Sequence, residues 1–145
     1  MKSFLLTLAI LPFLASVAQA KEITVKQLNT GDDGAMVFEP GFVRVQPGDT
    51  VNVIAVDPGH NVESIPTIAP AGTTPVKGAM SKGMVLHFAK PGIYGFKCLP
   101  HVSMGMVMIV QVGAAPSNLA EAKAAALVMP PLARKRLIAD LAKVK

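Results

Sequence analysis

The chain has 145 residues, 51% hydrophobic and 16% charged, and fourteen Lys and Arg against nine Asp and Glu give a formal charge of +5. That composition excludes a disordered polyelectrolyte, and the length suits about one domain. No long apolar run lies beyond the N-terminal segment, so a spanning helix is excluded there, and a lone cysteine, Cys98, excludes a scaffold stapled by intrachain disulfides.

The first twenty residues read apart from the rest. Lys2 precedes the apolar run Phe4 to Leu14, and Ala18-Gln19-Ala20 offers a small-residue cleavage site, so residues 1–20 are expected to be an export signal and residues 21–145 one domain. From Lys21 to Val112 apolar residues alternate with a period near two, in short runs broken by turn residues. This is the pattern of an antiparallel sandwich or barrel. Glu22 to Leu28 reads as a strand ended by Asn29 to Gly34, whose Gly and Asp residues tolerate positive φ. Met36 to Phe38, Phe42 to Val45 and Thr50 to Val56 follow, punctuated by Pro40-Gly41 and Pro47-Gly48. Ser64 to Lys82, rich in Pro, Gly and Thr, is expected to be a long surface excursion with at most one short strand or helical turn. Met84 to Ala89 and Gly92 to Cys98 are expected to form a hairpin through Lys90-Pro91-Gly92, and Met104 to Val112 is an almost continuous apolar run, expected to be a strand buried on both faces.

After Gly113 the period changes to 3.6. Ser117 is expected to cap a helix whose Leu119, Ala122, Ala126 and Met129 share one face, with Glu121 in the favourable first turn. Pro130-Pro131 ends it, and Pro131 opens a second helix with Ala133, Leu137, Ile138 and Leu141 inward. Arg134, Lys135, Arg136 and Lys143 are assigned to a solvated face rather than to a nucleic-acid or membrane patch.

The segment Gly95 to Met106 places a thiol (Cys98), an imidazole (His101) and a thioether (Met106) around a bend made by Pro100 and Gly105, between two predicted strands. A second imidazole, His60, follows Pro58-Gly59 just past another strand end. Two His, one Cys and a weak Met suit a trigonal site with a long axial bond. Structural zinc usually takes a tetrahedron with more than one Cys, whereas thiolate and thioether favour Cu(I) and imidazoles also suit Cu(II).

The spacing Cys-x2-His-x4-Met, downstream of Val-Asp-x-Gly-His-Asn-Val, resembles that of the pseudoazurins, small periplasmic blue-copper proteins of the cupredoxin family. The resemblance covers essentially all of residues 21–145, the two C-terminal helices included. It implies a mainly β, Greek-key cupredoxin sandwich or barrel with two C-terminal α-helices. It implies one copper ion per chain cycling between Cu(I) and Cu(II), with His60, Cys98, His101 and Met106 as ligands. Met104 is expected to pack beside the site, Met36 to lie next to His101, and Asn61 to hydrogen-bond toward the Cys98 segment. His87, in mid-strand, is expected to be a bystander.

A site with four ligands and no vacant position passes electrons but has nowhere to bind a substrate. Copper enzymes that resemble this pattern place a His beside the blue-copper Cys, where this chain has Lys97 and Leu99. No Ser-His-Asp or Cys-His-Asn set and no paired-carboxylate motif stands out. The expectation is a monomeric periplasmic electron carrier, not an enzyme, without nucleic-acid ligand or membrane span, and with His101 as the electron exit. The resemblance implies a copper nitrite reductase or another denitrification reductase as acceptor, and an upstream electron donor. Lys77 and Lys97 match family lysines around the exposed ligand, whereas Pro58 and Thr30 stand where lysine is common. The competing reading is a periplasmic copper-binding or delivery protein, which would expose Met-rich or two- to three-coordinate ligands.

Overall fold

Alternation of period two resolves into eight strands in two four-stranded sheets, and the 3.6-residue pattern into two helices; the computed structural model describes residues 19–114 and 116–145. Most of the expected export signal, residues 1–18, lies outside the described residues. The strands are β1 (Glu22–Gly31), β2 (Gly34–Glu39), β3 (Phe42–Val45), β4 (Thr50–Ala55), β5 (Glu63–Ile65), β6 (Met84–His87), β7 (Gly92–Lys97) and β8 (Val107–Val112), followed by helices α1 (Leu119–Leu127) and α2 (Pro131–Leu141). One sheet runs β2-β1-β4-β6 and the other β3-β8-β7-β5. Two pairings are parallel, β1 with β4 (Val25 opposite Val53) and β3 with β8 (Val43 opposite Val110), and the rest are antiparallel.

The mainly β sandwich with two C-terminal helices is as expected, and its layering explains why β8 lacks alternation. Met108, Val110 and Val112 face the core between the sheets with Val25, Val53, Phe38 and Phe96. Val107 and Ile109 face the opposite way, into a second core with Ala122, Ala126, Ala133, Leu137 and Leu141 of the helices. Every residue of β8 is therefore buried. Gln111, the one polar member, is satisfied by donating from Nε2 to the Gly113 and Lys145 carbonyls and by accepting from Arg44 Nε at Oε1.

Several features differ from the sequence reading for identifiable reasons. β6 and β7 do not form the expected hairpin: β6 pairs with β4 and β7 with β5 and β8, so Lys90-Pro91 carries the chain from one sheet to the other. β1 runs on to Gly31, because Thr30 and Gly31 still pair with Ala35 and Gly34 of β2 and only Asp32-Asp33 makes the turn. The last strand starts at Val107 rather than Met104, since Val102–Met104 is a single 3-10 turn ended by Gly105 in the left-handed region (φ 88). The 64–82 excursion contributes β5 and a bridge between Glu63 and Lys77. Asn118 rather than Ser117 precedes α1, and its side chain ties the helix to β7 instead of capping it, accepting from Ile93 N–H at 2.8 Å and donating to Ile93 O at 2.9 Å. Ile138, expected inward, is 44% exposed, and Asp140 takes the buried position one turn after Leu137.

Asp49 starts β4 by accepting the backbone N–H groups of Lys21 and Gln46, each at 2.8 Å. These bonds favour the carboxylate and hold Asp49 below the ordinary carboxylate range. A depressed folded-state pKa stabilises the fold at any pH above the unfolded value, and that contribution disappears as pH falls through the folded value. Asp49→Asn is expected to lower the thermal midpoint near neutral pH, with the difference from the parent chain shrinking below about pH 4. Thermal unfolding followed by circular dichroism across that range checks it.

Candidate metal centre

Two loops at one end of the sandwich bring His60, Cys98 and His101 together. His60 follows β4 after Gly59, whose φ of +87 is the left-handed backbone that glycine adopts without penalty. The 64–82 excursion closes over this turn: Ser81 Oγ accepts Gly59 N–H at 2.9 Å, and Ser81 N–H donates to His60 O at 2.7 Å. Cys98 lies directly past β7, and the loop to Met106 folds back on itself. Cys98 N–H donates to Met106 O at 2.9 Å, His101 N–H to Cys98 O at 3.2 Å, and Met106 N–H to His101 O at 3.1 Å.

His60 Nδ1 and His101 Nδ1 lie 3.0 Å apart, and Cys98 Sγ lies 3.8 Å and 3.4 Å from them. The centre of a triangle with these sides is about 2.0 Å from each corner. That matches roughly 2.0–2.3 Å bonds from a late first-row ion to imidazole nitrogen and thiolate sulfur. The residues present therefore fit a metal ion without rearrangement. His60 and Cys98 are fully buried and His101 is half-buried, so protein shields one side of the site and leaves the His101 edge open.

The surroundings prepare each ligand. His60 Nε2 lies 3.0 Å from Asn29 Oδ1, an acceptor that fixes the ring proton on Nε2 and leaves the Nδ1 lone pair facing Cys98 and His101. Asn29 is itself anchored by its N–H to Asp57 Oδ2 at 2.7 Å. Burial, and then the neighbouring His101 ring, push His60 below the ordinary imidazole range, toward the neutral form a metal needs. Burial likewise pushes the Cys98 thiol up, partly offset by the Asn61 and His101 backbone N–H groups. The metal-free chain thus carries a thiol, and a bound cation supplies the charge that holds the thiolate.

Asn61 does what the sequence reading expected. Its Oδ1 accepts Leu99 N–H at 2.9 Å, and its Nδ2 donates to Gly78 O and Glu63 Oε1, so one amide ties the His60 loop, the excursion and the Cys98 loop together. Asn61→Ala is expected to cost the metal-free chain roughly 1–3 kcal/mol, because the Gly78 carbonyl and Leu99 amide lose their partner. Urea unfolding of the metal-free protein measures it.

Met106 is fully buried in the core between the sheets, as an inward ligand requires. Met104, expected to pack beside the site, donates its N–H to His101 O at 3.0 Å, and its side chain is 44% exposed on the 3-10 turn. The reason is local: a turn, not an extended strand, separates the two methionines. Met36 is half-buried against the same core with its backbone in the left-handed region (φ 50). His87 lies exposed on β6, outside the His60, Cys98 and His101 group. Asn29, Ser81 and Arg136 escaped the sequence reading. Asn29 reads as a turn former and Ser81 sits in a segment without periodicity. Arg136 counts as a surface charge, yet it shares the stripe of Ala133, Leu137 and Asp140, and that offset was a usable signal.

The family described as "Copper binding proteins, plastocyanin/azurin family" matches residues 25–113. A pseudoazurin of Paracoccus pantotrophus is 49% identical over 131 residues, covering 90% of this chain and 89% of its own length. A putative pseudoazurin of Rhizobium leguminosarum bv. viciae is 46% identical over 143 residues, 97% of this chain and 93% of its own. Among solved structures, native pseudoazurin from Hyphomicrobium denitrificans superimposes with a TM-score of 0.80 at 46% identity, covering 86% of this chain and 98% of that one. Pseudoazurin from Methylobacterium extorquens AM1 gives 0.81 at 44% identity, with 86% and 99% covered. The His60, Cys98 and His101 group, two members fully buried and His101 half-buried, with Met106 closing the loop, fits a single type 1 copper site.

Proposed function

Since the chain belongs to the pseudoazurins of the plastocyanin/azurin copper-binding family, we propose that it is a periplasmic blue-copper electron carrier. It holds one ion through His60, Cys98, His101 and Met106. The observation that carries this reading is the convergence of two imidazole nitrogens and the only thiol on one point, at bonding distance from all three. Copper supplies the redox couple when bound, alternating between Cu(I) and Cu(II). The chain supplies the rest: Asn29 fixes His60, Asn61 fixes the Cys98 loop, and burial of His60 and Cys98 excludes water and substrate. A closed, interlocked donor set favours electron transfer over enzymatic chemistry and over copper handover.

His101 is the exit for the electron, being the half-exposed member of the group, with exposed Leu99 and Met104 beside it as an apolar rim for brief contacts. The acceptor is a copper nitrite reductase or another denitrification reductase, supplied through this carrier by an upstream donor. The carrier works as a monomer, exported through residues 1–20. Its net positive charge suits an acidic partner, so the transfer rate is expected to fall as ionic strength rises. The slope should be shallow, because exposed Thr30 and Pro58 are neutral and Lys77 lies 3.8 Å from Glu63.

Titration of the purified protein with Cu(II), followed by reduction and reoxidation, tests the proposal. An intense blue or green charge-transfer band at one equivalent, bleaching reversibly, is expected; a colourless protein that binds zinc or no metal overturns it.

A further inference from the structure

The guanidinium of Arg136, on the second turn of α2, makes four hydrogen bonds, all to backbone carbonyls. Nη1 donates to Met36 O and Gly105 O, each at 2.8 Å, and Nη2 donates to Ala35 O at 3.0 Å and Asp33 O at 3.1 Å. Three of these acceptors belong to the start of β2 and the turn before it, and the fourth immediately precedes Met106. Among the described residues no carboxylate lies within ion-pairing distance of it. Arg136 is half-buried, unlike its exposed neighbours Arg134 and Lys135.

Both segments it joins are ones whose backbone needs holding. Gly105 is buried with φ of +88, and a Cβ there would meet Arg136 Nη1 at 3.1 Å and Leu132 Cβ at 3.2 Å, so α2 sits directly on the bare glycine backbone. Met36 has φ of 50, a left-handed conformation uncommon for a residue with a side chain, and such a conformation persists where the surroundings over-determine it. A planar fork with fixed donor directions can hold two such segments at a set separation, which a single ammonium cannot do.

We propose that Arg136 is a positioning residue of the metal centre: by clamping the Gly105 carbonyl to the carbonyls of Asp33, Ala35 and Met36, it fixes where Met106 enters the site. The part concerning Met106 rests on its being the fourth copper ligand. The clamp itself concerns the chain alone, so the two are tested separately. Helix α2 is then part of the site's construction and not only a cover for β8.

The test compares Arg136→Lys, Arg136→Gln and, as a control that removes the same charge from the same helix turn, Lys135→Gln. In the metal-free protein, amide hydrogen exchange is read at Gly105 and Met106, whose N–H groups donate to Val102 O and His101 O, and at Val51 and Val53 of β4 as remote reporters. Both Arg136 variants are expected to speed exchange at Gly105 and Met106 at least tenfold while the β4 amides change less than twofold; Lys135→Gln is expected to change neither. With Cu(II) added, both Arg136 variants are expected to alter the intensity ratio of the charge-transfer bands, and lysine is expected not to restore it. Unchanged exchange at Gly105 and Met106, a uniform acceleration across the chain, or full rescue by lysine would each overturn the clamp. Loop acceleration with no change in the copper spectrum would retain the clamp but overturn its role in placing Met106. A parent protein that develops no colour would sink the copper reading, leaving the exchange data to decide the clamp.

Discussion

Cys98→Ser is expected to remove the charge-transfer colour of the copper-loaded protein completely and to stop electron delivery to a redox partner. Cys98 is the sole cysteine, so no other sulfur can act as thiolate, and the hydroxyl that replaces it is a hard oxygen that stays protonated. Changes to groups that merely orient a ligand typically cost about 10–100-fold in metal affinity, and loss of the thiolate itself is expected to exceed that range for Cu(I). The fold should survive. Cys98 is fully buried, but its Sγ faces the Nδ1 atoms of His60 and His101, so the hydroxyl keeps acceptors within reach and costs the metal-free protein only about 1 kcal/mol. Absorption spectra, copper content and urea unfolding on one preparation separate these effects. A serine variant that kept its colour would show that the thiol is not a ligand.

The second large effect is expected from the opposite face of β8. Leu137→Ala empties a fully buried position between α2 and the sheet and should cost about 2–5 kcal/mol. Set against a total of roughly 5–15 kcal/mol for a domain, that is a large fraction, and it should lower the thermal midpoint by on the order of 10 °C. Unfolding should remain a single transition, because β8 contributes Val107 and Ile109 to the helix core and Met108 and Val110 to the sandwich core, so neither layer keeps its packing without the other. A biphasic curve in which the helices melt first and the sandwich keeps its midpoint would mean two units rather than one.

Where local chemistry and periodicity agreed, the sequence was legible. Alternation located the long strands, the unbroken apolar run of β8 announced burial on both faces, and Pro131 marked the first position of α2. The donors that the structure groups, His60, Cys98 and His101, were legible because a thiol and imidazoles beside turn residues have little other reason to cluster. Legibility failed where a residue's role depends on partners remote in the chain. Ser81 and Asn29 hold His60 from segments that carry no motif, and Arg136 looks like one more surface charge until its carbonyl partners are seen. Met104 lies beside His101, but its exposure was not legible: Gly105 ends a turn, so an apolar residue at the edge of an apolar run belongs to the surface.

The parallel pairings also have a kinetic side. β3 and β8 lie far apart in sequence, no hairpin can join them, and they meet only after most of the chain has been gathered in. Non-local pairing of this kind is slow, with refolding expected in milliseconds to seconds rather than microseconds. The Cys98 to Met106 loop, by contrast, closes on itself across a few residues, whereas His60 comes to it from the end of β4, in the other sheet. During that interval the thiol is displayed but not yet enclosed, so the hazard of oxidation falls on the nascent protein and not on the finished one.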